Sequence, residues 1–335
     1  MKGIHLKALA LATALATSPI LGFSNPAPGI TLLGMGGPYL SAWADGMLPI
    51  KSTADSLTYA DLQLEGNTSN SGIVSLGSGY RKQSSDAIWG AYLFYDRERS
   101  SAGGYYNVAS PGVEYLTKTW KYRLNYYAPF GTKTHIVDQG WADDMGNFSY
   151  IEFTGHTELD QWGYKYESLS YGGDVDVAYR FQADNRWEVS LSPYVFNRND
   201  TSTLVGANAK LSFYQGDYAT LFIGDGYDNS SHNRVFVGAS FNISGRNNDD
   251  TLSNLMMSPI YRNLDVNTTS NGLPVGDYTE YSGVEAVEEK NIYFIEEGNS
   301  GNQSTAVVED GTYENPYTSI DSINTTTDTK ANFWV

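Results

Sequence analysis

From Trp120 to Tyr126 the chain reads Trp-Lys-Tyr-Arg-Leu-Asn-Tyr, aromatic or aliphatic at every even position and charged or amide at every odd one. An extended strand sends successive side chains to opposite faces, so this segment shows one face to an apolar phase and the other to water. The same dyad recurs in Val175, Val177, Tyr179 and Phe181, interleaved with Asp174, Asp176, Ala178 and Arg180, and again in Val205, Ala207, Ala209, Leu211 and Phe213. Downstream of residue 25 no helical period of comparable strength competes with it.

Alternating segments of barrel length fall near residues 57–65, 73–81, 87–95, 111–118, 119–128, 148–155, 161–168, 173–181, 187–196, 204–213, 218–225 and 234–242. That gives about twelve strands, an even number, as closed antiparallel barrels of bacterial outer membranes have. Alternate connections sort by length. Residues 82–86, 118–119, 156–160, 182–186 and 214–217 are short, whereas 66–72, 96–110, 129–147, 197–203 and 226–233 are longer and rich in Gly, Ser, Asn and Asp. Short turns facing the periplasm and long loops facing outward are the expected asymmetry of such barrels. A β-sandwich packing its apolar face inward explains the alternation equally well, but neither the sorting of connections nor the Tyr at strand ends. Residues 148–155 alternate imperfectly, and the first strand changes face near Asp61, so a bulge or a misplaced boundary is expected at each.

Composition narrows the compartment. A hydrophobic content of 41% is too low for a helical membrane bundle, while 26 Tyr and 34 Gly suit membrane interfaces and tight strand packing. The net charge of -17 excludes nucleic acid and bare anionic lipid as partners, and the chain has no Cys. Lys2, His5 and Lys7 precede an apolar run from Ala8 to Leu15 that continues weakly to Phe23, the layout of a secretory signal. The chain then divides into a signal peptide (1–24), an N-terminal periplasmic segment (25–56), a transmembrane β-barrel (57–244), a linker threading the lumen (245–290) and a short passenger start (291–335). One short helix is expected in the linker, around Leu252 to Met257.

Catalytic signals are thin. His135, His156 and His232 lie in separate connections without metal-site spacing, and no Gly-x-Ser-x-Gly elbow is present. Asp174 and Asp176 share a strand face and read either as an acid/base or cation pair or as water-facing lumen charges balanced by Arg180. Asp143-Asp144 and Asp249-Asp250 read as solvated loop charges, since neither has a calcium-loop spacing. The chain is therefore expected to be no enzyme and to hold no cofactor or metal. The informative set is the polar strand face: Arg81, Glu114, Lys121, Arg123, Asn125, Asp174, Asp176 and Arg180 are expected to face the lumen. Tyr115, Tyr122, Leu124, Val177, Tyr179, Leu191, Val235 and Val237 are expected to face lipid. A lumen carrying both charge signs would hold water, a plug or a threaded polypeptide. On this assignment Leu124→Arg is costly and Arg123→Leu is mild.

The segments Leu76-Gly-Ser-Gly-Tyr-Arg81, Trp89-Gly-Ala-Tyr-Leu-Phe-Tyr-Asp96, Pro111-Gly-Val-Glu-Tyr115, Leu124-Asn-Tyr-Tyr-Ala-Pro129, Tyr171-Gly-Gly-Asp-Val-Asp-Val-Ala-Tyr179 and Gly226 through Gly238 resemble, in order and spacing, the β-domain of inverse autotransporters, the intimin and invasin family. The resemblance covers roughly residues 55–245. It implies a twelve-stranded outer-membrane barrel whose C-terminal linker passes back through the lumen and displays a passenger, commonly an adhesin. Better-known members carry immunoglobulin-like and lectin-like passenger domains, and some a peptidoglycan-binding module. Here Asn291-Ile-Tyr-Phe-Ile and Asp310-Gly-Thr-Tyr-Glu-Asn-Pro-Tyr instead look like the opening of a parallel β-helix, ending before any rung repeats.

The expected function is that of an outer-membrane translocator and anchor that displays its own C-terminal segment at the cell surface, adhesin-like. The alternatives are an outer-membrane pore or structural barrel without an export role, and a soluble β protein acting on glycans through Asp174 or Asp176. The partners implied are outer-membrane lipid, the barrel insertion machinery and periplasmic chaperones, and a host-surface or cell-surface ligand for the exposed part.

Overall fold

In the computed structural model the described residues are 29–37, 40–147, 151–184, 186–197, 203–216, 218–230, 232–243, 251–262, 275–290, 292–295, 312–317 and 332–334. The expected signal peptide and the Asp249-Asp250 pair lie outside them. Eighteen strands and one short helix are present among the described residues. In chain order the strands are β1 Gly29–Gly36, β2 Leu40–Ser52, β3 Ser56–Asn67, β4 Gly72–Ser84, β5 Ala87–Arg99, β6 Tyr105–Thr117, β7 Trp120–Phe130, β8 Thr134–Trp141 and β9 Glu152–Thr154. They continue as β10 Thr157–Leu169, β11 Tyr171–Arg180, β12 Trp187–Asn197, β13 Leu204–Gln215, β14 Ala219–Asp228, β15 His232–Asn242, β16 Val275–Lys290, β17 Ile292–Phe294 and β18 Asn332–Trp334, and helix α1 is Leu252–Leu255.

Twelve of these strands close an antiparallel barrel in the order β1-β15-β14-β13-β12-β11-β7-β6-β5-β4-β3-β2. Closure runs through β1 and β15, with Thr31 opposite Asn242 and Gly36 opposite Val237. The outer face is apolar and exposed: Leu124, Leu191, Val235 and Val237 are each more than half accessible. An aromatic band follows the turn rim, where Trp89 meets Tyr115 at 4.5 Å and Trp120 meets Tyr179 at 4.7 Å. Water would not tolerate such an outer wall, and a closed barrel leaves no strand edge unpaired; this is a transmembrane barrel.

The strand count agrees with the sequence reading, but the membership differs. Of the expected periplasmic segment 25–56, residues 29–36 and 40–52 are instead the wall strands β1 and β2. Their dyad is hidden: β2 turns Trp43 and Met47 inward beside Ser41 and Asp45, so both faces look apolar in sequence. The expected change of face near Asp61 is the same effect, since Leu57, Tyr59, Asp61 and Gln63 all point inward along a regular β3 and only their polarity changes. The register shift lies instead in β2, between Pro49 and Lys51, at a proline that cannot donate to the ladder.

Conversely, 148–155 and 161–168 are not wall strands. β7 pairs directly with β11, Gly172 opposite Tyr127 and Tyr179 opposite Trp120, and the intervening residues leave the wall. They supply β8, β9 and β10, which with β16 form a separate sheet in the order β16-β10-β8, with β9 on β10. The general sorting of connections does not hold either. Strands extend further than their alternation suggests, so the gaps at 68–71, 100–104, 198–203 and 229–231 are nearly as short as the turns at 85–86 and 118–119. Only 131–170, between β7 and β11, is long.

By contacts the chain forms two compact units, residues 1–135 with 167–277, and 136–166 with 278–335. The first is the barrel with its lumen contents. The second contains the sheet of β8, β9, β10 and β16, and a two-stranded parallel pair in which Ile292 lies opposite Asn332 and Phe294 opposite Trp334. Ile295 adds a parallel bridge to Tyr317. A parallel neighbour does therefore form within these residues, against the expectation that no rung repeats.

Candidate functional site in the barrel lumen

Inward positions of the wall carry charge in the middle of the strands and rings toward their ends. Arg81 on β4 and Glu114 on β6 form a forked pair at 2.5 and 3.2 Å, and both side chains are fully buried. Arg123 on β7 shares the same carboxylate at 3.3 Å and reaches Asp176 on β11 at 3.6 Å. Lys121 meets Glu188 at 2.8 Å. Asn125 and Tyr127 donate to the two oxygens of Asp174 at 2.9 and 2.6 Å, and Ser192 donates to Asp176 at 2.7 Å. Arg180 is inward and lies 4.2 Å from the ring of Tyr214. All eight residues expected on the polar face thus lie inside, while Lys118 sits exposed in a turn. Tyr122, Leu124, Leu191, Val235 and Val237 are exposed on the outer face, and Tyr115, Val177 and Tyr179 are partly so. With Asp174 and Asp176 already engaged by four wall side chains, neither presents a free carboxylate pair for acid/base work.

The rings fit because glycines face them across the ladder. A Cβ on Gly112 would fall within the ring of Tyr92, and one on Gly77 would fall within that of Phe94. Two apolar clusters result. Ile73, Tyr106, Val108, Tyr127, Leu169, Tyr194, Phe196 and Leu204 gather near the loop rim. Toward the turn rim Met47, Leu57, Tyr59, Ile88, Tyr92, Phe94 and Leu116 pack on residues from outside the wall: Leu255, Met256, Met257 and Ile260.

Those residues belong to the segment after β15. Thr251 caps α1, its hydroxyl accepting the Asn254 N–H at 3.2 Å, and the helix ends after a single turn. The expected short helix is present. Beyond it the chain extends through the bore with its carbonyls taken by wall arginines. Arg81 donates through Nη1 to the carbonyls of Met256 and Ser258, each at 2.8 Å, and Arg123 donates to that of Pro259 at 3.3 Å. Gln63 donates to the Ile260 carbonyl at 3.0 Å, and Tyr261 stacks on Trp43 at 5.7 Å. Arg262 then makes a forked pair with Asp96 at 2.8 and 3.0 Å, donates to Gln63 Oε1 and Ser75 Oγ at 2.8 Å each, and lies 4.0 Å from the ring of Phe94. Arg81 is near the turn end of β4 and Asp96 near the loop end of β5, so residues 255–262 run from the turn rim toward the loop rim. Of the three contents a mixed-charge bore can hold, the described residues show polypeptide, residues 251–262 of the chain itself.

Sequence reasoning missed Arg262, Asp96, Gln63 and Ser75, which form the most polar seat in the bore. Arg262 stood alone in an Asn- and Thr-rich stretch, the one signal of its role. Outside the lumen, Asp143, Glu158 and Asp160 bring their carboxylates within 4.8 Å of one another. Burial and the neighbouring Asp160 raise the Asp143 carboxyl above its ordinary range. Asp143 is thus half-buried beside two other carboxylates, not the solvated loop charge that its sequence spacing predicts.

Residues 37–199 match the inverse autotransporter β-domain. No curated protein matches the chain. Among solved structures the chain is similar to one described as "Unveiling the Mechanism Behind the in-meso Crystallization of Membrane Proteins", at 15% identity and a TM-score of 0.55 over 76% of this chain and 100% of that one. It is also similar to the KdgM porin at 13% identity and a TM-score of 0.38, over 64% of this chain and 98% of that one. A third likeness is to outer membrane phospholipase A from Escherichia coli, at 11% identity and a TM-score of 0.38, over 69% and 96%. The first speaks to fold alone, and the last two carry no argument. The twelve-stranded closed barrel and the matched residues agree: residues 37–199 are an inverse autotransporter β-domain.

Proposed function

We propose that the barrel anchors the chain in the outer membrane and exports its own C-terminal segment through the lumen for display at the cell surface. The observation that carries this reading is residues 255–262 lying in the bore, their carbonyls held by Arg81, Arg123 and Gln63 and their end held by Asp96. Carbonyl capture is independent of side-chain identity, which suits a conduit that other sequence must pass before this stretch comes to rest. No nucleotide is needed, because strand closure and folding of the exported part release free energy on the far side. Outer-membrane lipid, the insertion machinery and periplasmic chaperones are the partners this role requires. An adhesin-like contact with a host or cell surface would fall to residues beyond 290. The rival, an open pore without export, fits poorly with a bore occupied by Leu255, Met256, Met257 and Ile260.

Protease added to intact cells carrying an epitope at residue 310 tests the reading. Cleavage outside, with the barrel fragment retained in the membrane, is the expected result. Protection of the epitope until the outer membrane is permeabilised would replace export with the pore or structural role.

A further inference from the structure

The long connection between β7 and β11 is not wall, yet it is ordered around a sheet of its own. Its ends are fixed at one rim, since Phe130 closes β7 and Tyr171 opens β11 and these two strands are ladder neighbours. Within the second compact unit, β10 lies between β8 of the same connection and β16 of the C-terminal segment. The tip of the connection, a turn at Gly155 with φ of +59°, meets the following stretch of that segment. Ile292 N donates to the His156 carbonyl at 3.1 Å, and His156 Nδ1 donates back to the Ile292 carbonyl at 2.8 Å. Tyr313 N donates to the Gly155 carbonyl at 2.9 Å, and Gly155 N donates to the Glu314 carboxylate at 3.0 Å. Phe153, Phe294 and Tyr313 close a three-ring contact at 5.0 to 5.7 Å. Halfway along β10, Gly163 leaves room for Tyr281 of β16: a Cβ there would stand 2.8 Å from its ring and 2.8 Å from Met145 Sδ.

We infer that the connection 131–170 is a folding template for the chain's own C-terminal segment. It offers β10 as an edge to which β16 adds, and then the Gly155 tip on which Ile292–Ile295 and Thr312–Tyr317 settle. Strand addition supplies main-chain hydrogen bonds to a segment that has few apolar residues of its own. The parallel pair of β17 and β18 begins beside that tip, so the template sets the register of the first parallel strands. The inference rests on the export reading: once the exported segment pairs with this edge, the pairing opposes its return.

The test uses the full-length protein in cells. Gly163→Val places a branched side chain against Tyr281, and Gly163→Val with Tyr281→Ala restores the space. Two reporters are read: surface appearance of an epitope at residue 310 after a pulse of synthesis, and oxidative cross-linking of His156→Cys with Tyr293→Cys, whose parent rings lie 4.6 Å apart in a chain without other cysteines. The expected result is surface appearance slowed about tenfold and cross-linking lost in Gly163→Val, with both recovered in the double variant. Phe294→Asp, which leaves the connection itself intact, should lower cross-linking in the same way. Unchanged surface appearance when cross-linking is lost would overturn the template. An epitope that never reaches the surface in the parent, with cross-linking intact, would instead overturn export and leave the docking observed.

Discussion

Arg262→Ala is the sharpest probe of the threaded bore. The guanidinium satisfies Asp96 twice, Gln63 and Ser75, and both Arg262 and Asp96 side chains are 2% exposed. With the segment seated, the truncation leaves a buried carboxylate whose remaining partner is the hydroxyl of Ser110. With the segment out, the same carboxylate faces water. Breaking one side of a buried pair costs about 3–5 kcal/mol, so the seated state should lose roughly 10²- to 10⁴-fold against the unseated one. The remaining hold is Arg81 on two carbonyls, Arg123 on that of Pro259, Gln63 on that of Ile260, and the packing of Leu255, Met256, Met257 and Ile260. The assay is conductance of the purified barrel in planar bilayers across a urea series, where the midpoint of channel opening reports the seating free energy. Arg262→Ala should open at clearly lower urea than the parent. Arg262→Met with Asp96→Leu, which removes both charges and keeps volume, should recover most of the loss. A midpoint for Arg262→Ala equal to that of the parent would refute the assignment of Arg262 as the end-hold of the segment.

Further outcomes follow from the wall, its turns and the second unit. Leu124→Arg, on a side chain 53% exposed to the outside, should lower stability by ~2–4 kcal/mol in a folding titration into lipid vesicles, and a neutral result would reject the face assignment. Arg123→Leu, mild on the sequence view, should cost about as much, because it strips Asp176 of a cation and Glu114 of its second guanidinium. Gly112→Val should destabilise by about 1–3 kcal/mol through displacement of the Tyr92 ring, and Tyr92→Ala in the same chain should relieve the clash, read as a paired shift in unfolding midpoint. For pH, the Asp143 carboxyl is raised chiefly by burial, so its contribution is fully present below about pH 4 and is lost as pH rises through its folded value. Protease resistance of the 136–166 region should therefore rise on acidification, and Asp143→Asn should flatten that rise. Asp184, held down to about 2 by the side chain of Arg186, works in the opposite sense and loses its contribution as pH falls toward that value.

The outer wall was legible because lipid imposes one rule on every outward residue, and Trp120 to Tyr126 obeys it without exception. The lumen charges followed as the complement of that rule. What stayed hidden was whatever answers to two rules at once. β2 faces lipid on one side and the threaded segment on the other, so Trp43 and Met47 erased its dyad. Tyr59, Tyr92 and Tyr194 point inward over facing glycines, although a high Tyr content suggests membrane interfaces, and nothing local distinguishes such a ring from one at a headgroup. β10 has the length and alternation of a wall strand because it is the centre of a sheet elsewhere. The Arg262 seat joins residues from β3, β4 and β5 to one nearly two hundred positions away from Gln63, a pairing that no spacing reveals.

Apolar side chains of the chain's own later segment packed into the bore have a consequence for the cell that carries it. A bore of twelve strands left empty would admit ions and small antibiotics, and each added copy would raise the leak. With Met256, Met257 and Ile260 packed against Met47, Leu57 and Ile88, the segment narrows the bore toward the turn rim, so the seated protein should leak less than a barrel from which residues 251–262 are withdrawn.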